Sequence, residues 1–353
     1  MSIPADSARR HPDASSTDSE AHFKLSICIS TLNRAAFIGE TLQSIVPQLV
    51  EGVELLIVDG ASTDDTPSIV QSFQESCRRV RYVRLQKNNG LDADFDHAVA
   101  LAHGRYCWLM TDDDLLLPGA VEAALNGINA GHDMIVINSE VRNANLTEVI
   151  QDRRMPINED RSFTPATWNE FAQVAGSYLS FIGGVVIRRS LWLERDRAAY
   201  YGTLFVHIGV IFQERVGGTC LVIAAPFISI RYGNAMWRPR EFEIWMFKWP
   251  RLIWSFQSLS QTSKAAISPR SPWTRWNRVL YYRAKGTYSM VEYRNHVLPA
   301  EPSFAQRLPA LVAANFPGRL ANVIAYAACL LFPSKAGLRL LDLRASRFYP
   351  FRR

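Results

Sequence analysis

The sequence predicts an α/β protein: a mostly parallel sheet with helices on both faces, followed by a mainly helical C-terminal part. Three observations carry this. Up to about residue 138, short apolar runs alternate with segments whose apolar residues recur at helical spacing. Each of the first four runs ends in polar or charged residues, as at the ligand-binding edge of such sheets. The third is a charge asymmetry: residues 231–353 hold 20 Lys or Arg against 5 Asp or Glu, a balance of +15, while the preceding part carries −9. Two parts meeting different surroundings follow from that.

Taken in order, Lys24–Ser30 (KLSICIS) reads as a strand, and Phe37, Ile38, Leu42, Ile45 and Leu49 as the apolar face of a helix. Glu54–Gly60 (ELLIVDG) repeats the strand signature. The following DDTPSIVQSF opens a helix, with Pro67 where a first-turn proline is tolerated. Val80–Leu85 is a third strand. Phe95, Val99 and Ala102 share a helical face that Gly104 ends, and Arg105–Thr111 (RYCWLMT) is a fourth strand. Pro118–Ala130 follows as a helix and Asp133–Asn138 as a fifth strand. Single helices between such strands specify parallel pairing with both faces covered.

The residues just after these strands carry the candidate chemistry. Ser30, Thr31, Asn33 and Arg34 follow the first; Asp59, Ser62, Asp64 and Asp65 the second; Lys87 to Gly90 the third; Asp112, Asp113 and Asp114 the fourth. Adjacent carboxylates repel unless a cation or proton neutralises them. Oxygen ligands of this kind suit Mg²⁺ or Mn²⁺, held with substrate phosphates, although aspartates also cap helix starts without further function. Asp59 offers only acceptors, suited to a base N–H or a ribose hydroxyl, or else to the backbone of Ser62. Arg34 could balance a diphosphate.

With CISTLNRAAFIGETLQSI, LLIVDGASTDDT, NNGLDADFDHAVALAHGRYCWLMTDDDLLLPGAVE and, more weakly, FIGGVVIRRSLW, the chain resembles a family 2 glycosyltransferase of the Rossmann-like GT-A fold across roughly residues 24–230. GLDADFDHAVALAHGRYCWLMTDDD is most similar to the branch that contains O-antigen abequosyltransferases. The resemblance implies a nucleotide-sugar donor, a saccharide or lipid-linked saccharide acceptor, a divalent metal, Mg²⁺ or Mn²⁺, and inversion at the anomeric carbon. It places Thr31 and Arg34 beside the nucleotide, with Asn33 in the same group. Asp59 would meet the base or ribose, Asp92 would join the donor site, and Asp112 would face the ribose. Asp113 and Asp114 would meet the metal and diphosphate, Asp114 with a part in catalysis.

The sequence departs from the family pattern at the base. Many members carry a Glu-Asp pair on a helix after the acceptor loop; here TLFVHIGVIFQER puts Val206 and His207 in its place. A neutral imidazole can accept a hydroxyl proton near pH 7, so His207 is the expected base, against its reading as a packed core histidine. Glu214 and Asp196 are the other bases of this region, and Gly183–Gly184 would let backbone approach a sugar or simply turn at a strand edge.

Residues 231–353 combine the +15 balance with six of the nine tryptophans. The stretch Glu241–Trp254 and the apolar Ala321–Phe332 suit an anionic membrane surface, or packing on the catalytic part. No nucleic-acid module is recognisable, so nucleic acid is not expected as a partner; the oligomeric state is not legible. Residues 1–23 read as a disordered tail without a secretory h-region, and Ala321–Phe332 is shorter than the roughly 20 residues of a membrane span. Five dispersed cysteines suit a reducing compartment. The expected location is cytoplasmic, peripheral at the inner face of the membrane. The enzymatic rival is a sugar nucleotidyltransferase, whose Gly-rich basic N-terminal loop is missing after KLSICIS; the other rival is a catalytically silent membrane-bound module that binds nucleotide-sugars.

Overall fold

Alternation within the strands builds two cores on one sheet. In β1 (Phe23–Thr31), Leu25, Ile27 and Ile29 point to one face and Cys28 to the other, as the two-residue strand period requires. The first face packs α1 (Ile38–Ile45), α2 (Thr66–Ser76) and α4 (Ala120–Asn129); the second packs α3 (Leu91–Leu101), α5 (Trp168–Ala175) and α7 (Val206–Phe212). The computed structural model describes residues 23–300, 303–332 and 337–351. Except for Phe23, which opens β1, the expected N-terminal tail lies outside them.

The sheet has ten strands, eight of them in the order β3-β2-β1-β4-β9-β6-β10-β5. Here β2 is Val53–Asp59, β3 Val80–Arg84, β4 Gly104–Met110, β5 Leu115–Leu116, β6 Met134–Arg142, β9 Val185–Arg188 and β10 Cys220–Arg231. Between them, β7 (Val149–Gln151) pairs with β6 and β8 (Arg161–Phe163) with β10; α6 spans Arg189–Glu194. β1 runs parallel to both β2 and β4, β2 to β3, and β6 to β10. All five strands expected from the sequence form.

Two departures have physical causes. β6 continues beyond Asn138 to Arg142, because Asn138 and Ser139, which look like a strand end, are buried there. The Asn138 amide donates to the carbonyls of Met155 (2.9 Å) and Ala224 (3.0 Å), which offsets its burial. The second is β9, inserted antiparallel between β4 and β6. Gly183–Gly184 is the tight turn ahead of it, where the Trp108 indole donates to the Gly183 carbonyl at 2.7 Å.

The C-terminal part is helical, but its aromatic stretch does not lie on the surface. Phe242, Ile244, Met246, Trp249 and Ile253 are buried, and Trp249, Ile253 and Phe256 join the core beside α5 and α7. The expectation of an interfacial helix over Glu241–Trp254 is therefore corrected: its apolar face is already covered by this chain. Exposed apolar side chains lie instead on helices Phe304–Asn315 and Gly318–Leu331, notably Phe304, Leu308, Val312, Leu320, Ile324, Leu330 and Leu331. Among the described residues no helix is long and apolar enough to cross a membrane.

β1 and β4 approach closely at Gly104. The Ser26 hydroxyl donates to Glu54 at 2.6 Å and accepts from the Gly104 amide at 2.7 Å, while the His103 amide donates to the same Glu54 at 2.7 Å. A β-carbon on Gly104 would stand 2.5 Å from the Ser26 amide nitrogen and 2.7 Å from the Leu25 carbonyl carbon. Backbone cannot yield as a side chain would. Gly104→Ala should destabilise the protein by about 1–3 kcal/mol or more, measured by urea unfolding; an unchanged midpoint would contradict this packing.

Candidate active site

The site is built where β1, β4 and β10 end. Apolar strands carry the chain to the sheet edge, and the polar residues that follow cannot continue inward, so they gather along one rim. A cavity of about 690 Å³ opens there, lined by Thr31 and Arg34 after β1, Asp112 to Asp114 after β4, and residues from Ile230 onward. Asp92, Leu204 and His207 line it from the α3 and α7 side.

Arg34 is the central cation. Its Nε donates to Asp112 at 3.0 Å and a terminal nitrogen pairs with Asp113, while its own amide is held by the Thr66 hydroxyl at 2.8 Å. Its guanidinium lies over the Phe37 ring, as does that of Arg231. Arg231, at the end of β10, donates its amide to Asp114 (2.8 Å) and its Nε to the Asp113 carbonyl (3.0 Å), and it pairs with Glu40 of α1. Asn234 donates to the Asp113 carboxylate at 2.7 Å. Arg231 and Asn234 were not singled out by sequence reading. The signal available was an arginine ending an apolar strand, the pattern that drew attention to Arg34.

Several expected residues turn out to be held inside the framework. Asp59 is fully buried, and its two oxygens accept from the Ser62 amide (2.7 Å) and the Tyr82 hydroxyl (2.6 Å). These bonds hold the turn after β2 and tie it to β3. Asn33, in a left-handed conformation (φ 54°), accepts from the Thr63 amide at 2.8 Å and ties the β1 and β2 ends together. Asp114 accepts from the Thr111 hydroxyl at 2.5 Å and from the Arg231 amide at 2.8 Å. With both oxygens engaged and the residue buried, it pins β10 to β4 from the cavity lining.

Asp92 lines the cavity, but its oxygens accept from the amides of Leu204 (2.8 Å) and Val206 (2.9 Å), so it fastens the start of α7. On that helix His207 is buried at the cavity wall, with Nε2 at 2.8 Å from the Leu179 carbonyl. A carbonyl only accepts, so Nε2 carries the proton and the buried Nδ1 is left as an acceptor with no partner among the described residues. Burial lowers the His207 pKa to about 4. Glu214 and Asp196 do not line the cavity; Glu214 is an exposed partner of Arg195, and Asp196 caps a turn at Ala199.

The carboxylates of Asp112 and Asp113 remain as groups facing the cavity, each with 14% of its side chain exposed. Burial raises the Asp112 pKa to about 6 although Arg34 opposes it, and burial likewise raises those of Asp113 and Asp114. Three carboxylates against two guanidiniums leave the rim short of positive charge. No group of three or more His, Cys, Asp or Glu side chains among the described residues is arranged to hold a metal alone. Two hard carboxylates with unmet charge nevertheless fit Mg²⁺ or Mn²⁺, which is commonly bound by one or two carboxylates together with phosphates.

Fold and rim together define an α/β protein with a polar cavity at the carboxyl ends of its strands, the edge where sheets of this kind bind ligands. Residues 26–190 match the sequence model of glycosyl transferase family 2. It is 25% identical over 223 residues to the abequosyltransferase RfbV of Salmonella typhimurium, a match spanning 60% of this chain and 67% of that protein. To the GalNAc(5)-diNAcBac-PP-undecaprenol β-1,3-glucosyltransferase of Campylobacter jejuni it is 33% identical over 118 residues, 31% of this chain and 36% of the other. The fold is that of S. aureus TarS, solved with UDP-GlcNAc (TM-score 0.52, 16% identity, 91% and 90% of the two chains). It is equally that of the Pyrobaculum calidifontis mannosyltransferase PcManGT, solved with GDP-Man and Mn²⁺ (TM-score 0.50, 16% identity, 91% and 86%).

Acid should weaken metal binding at this rim. A protonated Asp112 offers no charge to a cation, so Mn²⁺ affinity, followed by calorimetry, should fall as pH drops through about 6. Arg34→Gln removes the cation that holds the Asp112 pKa down and should move that fall to higher pH. An unshifted midpoint would separate Asp112 from the metal.

Proposed function

We propose that this chain is an inverting glycosyltransferase that moves a sugar from a nucleotide-sugar donor to a hydroxyl of a lipid-linked saccharide, in the synthesis of a cell-surface polysaccharide or O-antigen. The observation that carries the reading is that one cavity is lined both by the Arg34–Asp112–Asp113 cluster and by His207, whose buried Nδ1 has no hydrogen-bond partner among the described residues. The undecaprenol-linked glucosyltransferase relative favours this acceptor class.

In this reading Asp112 and Asp113 hold Mg²⁺ or Mn²⁺, which supplies charge stabilisation of the departing nucleoside diphosphate. Arg34 and Thr31 line the nucleotide end, with Arg34 orienting both carboxylates. Asp92 fixes the start of α7, and the Leu179 carbonyl fixes the His207 tautomer. Nδ1 of His207 takes the acceptor hydroxyl proton while that oxygen attacks opposite the leaving group, so a single displacement inverts the anomeric carbon. A base with a pKa of about 4 matches an ordinary aspartate, near 3.9, which fits His207 standing where many family members place a carboxylate. It also stays neutral throughout the physiological range.

Labelled UDP-, GDP-, CDP- and dTDP-sugars, offered with membrane extract and Mn²⁺, test the activity. A silent binding module would show a donor-induced thermal shift without transfer. His207→Ala should lower kcat roughly 10²–10⁴-fold with donor binding kept. Asp113→Asn, or excess chelator, should abolish transfer with the fold intact. Near-normal turnover in any of the three would remove that group from the mechanism.

The enzyme would work peripherally at the cytoplasmic face of the membrane. The exposed apolar residues of helices Phe304–Asn315 and Gly318–Leu331, within the part that carries +15, support a bilayer contact that combines apolar insertion with attraction to anionic lipid. The intact protein should co-sediment with anionic vesicles at low salt, and Leu330→Glu with Leu331→Glu should release it. Equal sedimentation of wild type and variant would place the contact elsewhere.

A further inference from the structure

The cavity has two chemically different walls. The strand-end wall is charged, with Asp112, Asp113 and Arg34 facing inward. To the same lining the C-terminal part contributes Trp237, Trp245, Arg238, Glu241, Lys285 and Asp342. We infer that this second wall is the subsite for an uncharged saccharide, with Trp237 as the ring on which a pyranose face rests. The inference deepens the glycosyltransfer reading by naming where the acceptor sits.

Charge separates the roles of the walls. Glu241 accepts from Lys285 at 2.6 Å and from the Thr287 hydroxyl at 2.7 Å. Asp342 accepts from Tyr281 at 2.8 Å and from Arg238 at 3.4 Å, and lies 3.0 Å from the Lys285 ammonium. Two carboxylates and two cations leave this wall with no net charge, so a diphosphate gains nothing here over the strand-end wall. The mutual bonds hold these groups in place, while Tyr281 and Arg238 keep donor and acceptor capacity for sugar hydroxyls.

The aromatic part has the complementary form. Trp237 is 40% exposed and meets Trp245 edge-on, centroids 5.7 Å apart at 76°. Trp245 in turn meets Trp249 at 6.0 Å and Phe205 at 5.9 Å, so a row of rings runs from the cavity lip to the core and backs Trp237. An amphipathic ring held by packing at a wet pocket edge suits a ligand with one apolar face and hydroxyl edges. Trp237 is also three residues from Asn234, which bonds Asp113. Three residues span at most about 11 Å between α-carbons, so the platform stays close to the carboxylate rim.

Two arms test this on the full chain. The indole N–H resonance of Trp237, assigned by its loss in Trp237→Ala, should shift when a panel of methyl pyranosides (gluco, manno, galacto and rhamno) is added at high concentration. If no glycoside moves it, the subsite is refuted. In transfer assays with membrane extract, Trp237→Ala should raise the acceptor KM about tenfold or more, leave the donor-induced thermal shift unchanged, and be largely rescued by Trp237→Phe. An unchanged KM, or a parallel loss of donor binding, overturns the assignment. Should the wild type transfer no sugar at all, the glycosyltransfer reading fails, while the resonance shift still decides whether the wall binds saccharide.

Discussion

Three adjacent carboxylates at the end of a buried strand repel one another, and the site is organised around answering that repulsion. Arg34, from the turn after β1, spans Asp112 and Asp113. Arg231, from the end of β10, serves Asp114 through its amide and the Asp113 carbonyl through its side chain. Both guanidiniums rest on Phe37, so one ring sets the spacing of two cations drawn from opposite ends of the domain. Since burial still lifts the Asp112 pKa to about 6, this compensation is partial, and the rim keeps a demand for positive charge that a closed ion-pair network would not.

Strand positions, the parallel pairing around β1 and the rim location were legible because they follow from hydrophobic period and from the geometry of α/β sheets. The match to glycosyl transferase family 2 and the likeness to GT-A structures agree with the resemblance seen in the DDD segment and its flanking motifs. What the sequence could not reveal was which polar residues face inward. Asp59 and Asp112 both follow apolar strands, yet Tyr82 on the neighbouring strand occupies an Asp59 oxygen, whereas Asp112 opens on the cavity. That difference depends on a cross-strand neighbour, which spacing along one segment does not contain.

The same limitation explains the C-terminal part. A stretch rich in Trp, Phe, Lys and Arg reads alike whether its apolar face meets lipid or protein, and Glu241–Trp254 meets protein. Its polar residues proved more informative than its tryptophans. Glu241, Lys285 and Asp342, separated widely in sequence, converge beside the cavity and turn a presumed appendage into one of its walls.

Arg231 also sets an order of events during synthesis on the ribosome. The segment that matches the family ends at residue 190, and by then the nascent chain holds all three aspartates and Arg34 but not the second cation. Until β10 emerges and slots beside β6, Asp114 lacks the amide that holds it, and Glu40 lacks its guanidinium. The pairing of Arg231 with Glu40 closes a loop of 191 residues, among the costliest kinds of contact to form early. The carboxylate rim is therefore completed late in folding, once the last strand of the sheet has joined β6.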